Sequence, residues 1–152
     1  MVGIVIVSHG KLAEALISSA QSLVGPLSQV EAVSIWPEDG EKKVQTEIQD
    51  KVTEVNDGDG VVILTDILGG TPTNVSLPLL EKEKLEIVTG VNIPMLLTLS
   101  SYRRERSLKA IGKMLKKSGR RSIMMAKQLM DSWRKRDGRN HLPELQKTDF
   151  ER

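Results

Sequence analysis

Apolar and polar positions alternate along the chain with two distinct periods. Val2 to Val7 (VGIVIV) is an almost unbroken run of branched apolar residues, the pattern of a strand buried on both faces. Residues 11–24 then place Leu12, Ala15, Leu16, Ser19 and Leu23 at helical spacing, and Gly25-Pro26 ends that helix. Gln29 to Ile35 (QVEAVSI) alternates polar and apolar residues before a short apolar end, as a strand near a sheet edge does. Trp36 to Gly40 is a loop, and residues 41–55 form a charged helix with Val44, Ile48, Val52 and Val55 on one stripe.

After the turn at 56–60, Val61 to Leu64 reads as a second strand buried on both faces. Its corner leads into Thr71-Pro72, with Thr71 as N-cap and Pro72 at the first helical position. That helix is expected to run to about Lys82, bent or shortened at Pro78. Leu85 to Thr89 is a fourth strand, Gly90 to Pro94 its corner, and a helix follows from Met95 to about Tyr102. Residues 104–118 carry Leu108, Ile111 and Leu115 on one face, with Gly119 as the expected break. Ser122 to Met125 fits strand and helix equally, and much of the chain past Asp131 is expected to be mobile.

Alternating strands and helices imply an α/β fold with a parallel sheet and helices on both faces. The first and third strands are the most apolar and belong in the centre. The second suits an edge. The expected order is 2-1-3-4, a flavodoxin-like winding, with its ligand crevice beyond the C-terminal ends of strands one and three, where the winding reverses. Two corners meet there: Ser8-His9-Gly10 and Asp66-Ile67-Leu68-Gly69-Gly70-Thr71.

His9 and Asp66 therefore form a candidate pair. A carboxylate that accepts Nδ1–H fixes the imidazole tautomer and leaves Nε2 as a nucleophile. A strand-end histidine can also merely fill a corner; its meeting with Asp66 at the switch point favours chemistry. Gly69-Gly70-Thr71 would offer backbone N–H groups and a hydroxyl to an anion, although the same residues also make a plain turn. Ser8 supports the corner. Asn92 is either a hydrogen-bonding neighbour of the cleft or a turn residue. Trp36 is either part of a docking rim or a cover for the core. His141 reads as solvated. The chain lacks the Gly-rich signatures of nucleoside triphosphate and dinucleotide sites and the nucleophile elbow of serine hydrolases.

Composition narrows the classes. The 152 residues suit one domain, aromatics are only 3%, and there is no cysteine. Few aromatics argue against a base-stacking nucleic-acid binder. Two histidines far apart in sequence and no thiol argue against a zinc site. The first apolar run is too short for a signal peptide and no run is long enough to span a bilayer, so a cytoplasmic protein with no membrane insertion is expected. The net charge of +2 conceals an asymmetry: residues 1–101 carry 6 Lys/Arg against 14 Asp/Glu, and residues 102–139 carry 14 against 3. The expectation is a solvated basic face that neutralises its own acidic domain; contact with an acidic partner, membrane surface or nucleic acid is the alternative.

Three motifs, Val5-Ile6-Val7-Ser8-His9-Gly10, Asp66 to Asn74 (DILGGTPTN) and Gly90 to Leu96 (GVNIPML), together resemble the corners of mannose-type IIA domains of the bacterial phosphoenolpyruvate:sugar phosphotransferase system. The resemblance covers about residues 1–125. It implies that His9 carries phosphate on Nε2, that Asp66 orients it through Nδ1, and that Thr71 and the amides around Gly10, Gly69 and Gly70 hold the phosphoryl group. It implies no cofactor. The partners would be the phosphocarrier HPr as donor and a histidine of a separate IIB protein as acceptor. It also implies a homodimer in which a C-terminal strand crosses to the partner's sheet, with Ser122–Ala126 as the candidate segment. On this reading residues 1–126 are the phosphocarrier domain and 127–152 a basic, partly mobile extension. The alternatives are a dihydroxyacetone-kinase phosphotransfer subunit, a regulator that reports phosphorylation state without a transport role, and a flavodoxin-like small-molecule binder.

Overall fold

The computed structural model describes residues 1–81 and 84–137. Lys82, where the third helix was expected to end, and His141 with most of the C-terminal extension lie outside the described residues. Four parallel strands, β1 (Gly3–His9), β2 (Val30–Ile35), β3 (Val61–Thr65) and β4 (Leu85–Thr89), form one sheet in the order β2-β1-β3-β4. Among the described residues six α-helices accompany them: α1 (Leu12–Val24), α2 (Glu41–Val55), α3 (Thr71–Ser76), α4 (Ile93–Tyr102), α5 (Leu108–Arg121) and α6 (Ala126–Asp137).

The winding and the central place of β1 and β3 follow from burial. Ile4 and Ile6 point to one face and join Val62, Leu64, α1, α4 and α5. Val5 and Val7 point to the other and join Ile63 and α2. Each fully buried Val or Ile contributes about 1.5–3 kcal/mol, so two-sided burial holds these strands firmly in register. That register sets Val7 opposite Thr65 and His9 opposite Ile35, so β1 and β2 end level and β3 ends two residues earlier, which leaves Asp66 beside the end of β1.

Several local expectations are corrected. In α1 the stripe lies one residue off: Ala13 and Ala20 are buried, while Leu12 and Leu23 are exposed. The short alanines let α1 approach the sheet closely, and tertiary contact decides which face is inward. Thr71 is the first residue of α3, and Gly70 is its cap. Pro78 does shorten the helix: α3 stops at Ser76 and a 3-10 turn follows over Leu77–Glu81. Gly119 does not break α5, which continues to Arg121. A side chain there would stand 3.0 Å from Met95 Cε, so Gly119 lets α4 and α5 pack tightly. In the single chain Ser122 to Met125 forms neither strand nor helix, and Ala126 already belongs to α6.

Candidate functional site

The site is built at the C-terminal ends of β1 and β3, where the residue after β3 reaches the last residue of β1. β1 places His9 at its last position, and Gly10 turns the chain with φ +54°, a conformation that favours glycine. Ser8, fully buried, accepts a hydrogen bond from the Ala13 N–H at 2.8 Å and so ties the strand end to the first turn of α1. The Gly10 N–H donates to the Ile35 carbonyl at 3.0 Å. Its amide is therefore already used, and the expectation that Gly10 presents a donor to a ligand is corrected: Gly10 supplies the turn.

Asp66 follows β3 directly. Its Oδ2 accepts from the His9 backbone N–H at 2.9 Å and faces His9 Nδ1 at 2.8 Å, while Oδ1 accepts from the Ile67 N–H at 2.8 Å. A carboxylate in this position assigns the proton to Nδ1. Burial alone would raise the Asp66 pKa, but the His9 backbone N–H, the His9 ring and the Ile67 N–H outweigh it and hold the carboxyl below the ordinary carboxylate range. Asp66 is 11% exposed and His9 50% exposed, so the orienting group is buried and the oriented group is open. Among the described residues Nε2 has no partner.

The loop from Asp66 to Gly70 curls against the imidazole. A side chain at Gly70 would stand 3.2 Å from His9 Cε1 and 3.1 Å from Ile67 Cγ2, tight enough that a neighbour would have to shift slightly. Gly69, with φ +78°, and exposed Thr71 flank Gly70. The Thr71 amide and hydroxyl have no hydrogen-bond partner among the described residues. The loop itself is braced from beneath. Thr73 Oγ1 donates to the Ile67 carbonyl at 2.7 Å and lies 2.7 Å from Thr65 Oγ1, whose O–H is left to donate to it. Asn74 Nδ2 donates to the Gly69 carbonyl at 3.2 Å. Sequence reasoning gave Thr65, Thr73 and Asn74 no role. The only signal was short polar residues at a strand end and in the turn beyond it, which gains meaning once the corner is folded.

The other candidates divide. Trp36 is at the site: its ring would lie 3.7 Å from a side chain at Gly10. Its loop is clamped, since Asp39 accepts from the Trp36 N–H at 2.9 Å and from Lys43 Nζ at 3.1 Å. Those two donors, the Trp36 N–H first, hold Asp39 below the usual carboxylate range. Trp36 is 43% exposed, and Ile67 and Leu68 are 58% and 79% exposed, an apolar border on two sides of His9. Asn92 does not hydrogen-bond the site. Its Oδ1 caps α4 by accepting from the Met95 N–H at 3.2 Å, and its Nδ2 donates to the Gly119 carbonyl at 3.2 Å. No group of three or more His, Cys, Asp or Glu side chains among the described residues could hold a metal ion. No described helix is long and apolar enough to cross a membrane.

This geometry has counterparts in known proteins. Residues 3–116 match the family model EIIA-man, described as the PTS system fructose IIA component. The chain is 26% identical over 132 residues to the PTS system fructose-specific EIIA component of Bacillus subtilis, covering 86% of this chain and 90% of that protein. It is 33% identical over 96 residues to the mannose-specific EIIAB component of Escherichia coli, covering 62% of this chain and 30% of that longer protein. Among solved structures, an EIIA component from Streptococcus agalactiae superimposes with a TM-score of 0.77 at 26% identity, covering 84% of this chain and 99% of that one. A PTS IIA protein associated with the fucose utilization operon of Streptococcus pneumoniae gives 0.72 at 31% identity, covering 84% and 95%. The chain belongs to the EIIA-man family, the mannose-type IIA components of the phosphotransferase system, and its class of function is phosphoryl carriage in sugar uptake.

Proposed function

We propose that His9 is the phosphoryl acceptor, taking phosphate on Nε2 from the phosphocarrier HPr and passing it to a histidine of a IIB-type protein. The observation that carries this reading is the 2.8 Å contact between His9 Nδ1 and Asp66, beside a half-exposed ring. The Nε2 lone pair attacks phosphorus in line. The new N–P bond forms as the donor's bond to phosphorus breaks, and the donor leaves with its electron pair. The ring becomes cationic during the step, and the buried carboxylate stabilises that charge through Nδ1–H.

The phosphoryl oxygens are met by the Thr71 hydroxyl and amide, with Gly69 and Gly70 allowing the loop to come close. α3 is only six residues long, so discrete donors matter here more than a helix dipole. Positioning and charge stabilisation are what such a transfer asks of a protein. Trp36, Ile67 and Leu68 form the apolar rim against which donor and acceptor proteins dock. The outer edge of β4, at the end of the sheet order, is where Ser122–Met125 of a second copy adds in a homodimer.

The test is incubation with phosphoenolpyruvate, enzyme I and HPr. Wild type takes up acid-labile phosphate and His9→Ala takes up none. Uptake by His9→Ala equal to that of wild type refutes the assignment.

A further inference from the structure

We propose that the outer face of α5 docks onto an anionic lipid bilayer. Leu108, Ile111, Gly112, Leu115 and Gly119 turn inward and are buried. Lys109, Lys113, Lys116, Lys117 and Arg120 are exposed. Their spacing of four, three, one and three residues sets them along one side of the helix, a stripe about 16 Å long. α5 contains no Asp or Glu.

The basic face is solvated, as expected, and among the described residues makes no direct ion pair with the acidic domain that it was expected to neutralise. None of these cations lies within ion-pair distance of a carboxylate among the described residues. Glu86 lies beneath the helix against Gly112 and pairs with none of them. Two lysines of the acidic body do pair, Lys43 with Asp39 and Lys51 with Glu31 and Glu54, while Lys11, Lys42 and Lys84 form no ion pair among the described residues. The stripe also weakens its own helix. Lys109/Lys113, Lys113/Lys117, Lys116/Arg120 and Lys117/Arg121 are like charges four residues apart, each of them destabilising. Lys109 further stands near the positive end of the helix dipole. Alternating Glu and Lys would solvate the same face and stabilise it. A row of unpaired lysines instead suits an extended anionic surface.

Charge complementarity and side-chain chemistry favour a bilayer over a nucleic acid. The stripe is mostly lysine, a point charge that meets lipid phosphates without demanding geometry. No Asn, Gln or aromatic side chain lies between the cations to read or stack a base. The proposal goes beyond the phosphocarrier reading and does not require His9 to be phosphorylated.

The test is flotation of the full-length protein with vesicles, comparing phosphatidylglycerol-containing with pure phosphatidylcholine vesicles. At about 0.05 M salt, where screening is weak, partition onto the anionic vesicles should exceed that onto neutral ones on the order of a thousandfold. Each cation at such a surface contributes on the order of fivefold, so loss of three, as in K113Q/K116Q/K117Q, should lower partition on the order of a hundredfold, and K113E/K116E/K117E, which also adds three repelled charges, should lower it further. That variant sets a carboxylate four residues from each of Lys109, Arg120 and Arg121, where like charges stood before. Its unfolding temperature should therefore not fall, and phosphate uptake at His9 should match wild type. Equal partition onto neutral vesicles overturns the proposal. So does wild-type partition by the triple variants, or displacement of the protein from vesicles by duplex DNA at equal phosphate concentration.

Discussion

The corners after β3 and β4 are written in similar sequence and used in opposite ways. Each leaves a buried or half-buried strand, passes a glycine, and enters a helix with proline in its first turn: Gly69-Gly70-Thr71-Pro72 and Gly90-Val91-Asn92-Ile93-Pro94. At the β4 corner the polar groups are consumed. Asn92 caps α4, holds the end of α5 through the Gly119 carbonyl, and the Val91 N–H donates to the Thr65 carbonyl at 3.0 Å. At the β3 corner the bracing comes from underneath, through Thr65, Thr73 and Asn74, and the outward Thr71 amide and hydroxyl stay free among the described residues. A corner whose donors are satisfied internally stabilises. A corner held from behind with donors left over can bind. Sequence similarity between turns does not distinguish the two; the destination of each hydrogen bond does.

The strongest way to break this comparison is at Asp66. Asp66→Asn keeps the shape but loses the charge and the preference for a proton on Nδ1, so the initial rate of phosphate uptake should fall about 10²–10⁴-fold. Next is Thr71→Val, which removes one free donor near the reacting group. Its uptake rate should fall on the order of tenfold to a hundredfold, with an unfolding temperature within about a degree of wild type. Asn92→Ala should do the reverse, costing about 1–2 kcal/mol in denaturant unfolding while phosphate uptake stays within about twofold. If Asn92→Ala slowed uptake as much as Thr71→Val does, the two corners would not be functionally distinct.

The smallest effect is in acid. Asp66 has a folded pKa below its unfolded value near 3.9, so the stability it contributes is fully present above about pH 4 and is lost as pH falls through the folded value. Asp66→Asn should flatten that part of the stability–pH curve in acid-unfolding measurements. An unchanged acid limb would show that the carboxylate is not held as the hydrogen bonds imply.

Much of the fold was legible because two-sided burial leaves continuous apolar runs. Val2–Val7 and Val61–Leu64 identified the central strands, the more polar Gln29–Ile35 an edge, and the reversal of winding then placed His9 beside Asp66. The errors came where one element rests on another. Leu12 and Leu23 fit a helical stripe as well as Ala13 and Ala20 do, and the sheet's need for close approach selected the alanines. Gly119 resembles a helix stop until Met95 is seen packed against it. Gly10 resembles an anion donor until its N–H is seen to reach Ile35. Asn92 read as a turn residue more than as a neighbour of the cleft, and its bonds to α4 and to the end of α5 bear that out.

The sequence by itself determined the alternation of strands and helices, the sheet order, and the meeting of an imidazole with a carboxylate, because apolar periodicity and parallel winding are properties of the chain's own pattern. Only the tertiary structure decided which donors remain free beside His9, which braces hold them there, and which cations on α5 lack partners among the described residues. Those depend on distances between residues far apart in sequence, where a small shift decides whether a polar group is satisfied within the fold or left available to a ligand.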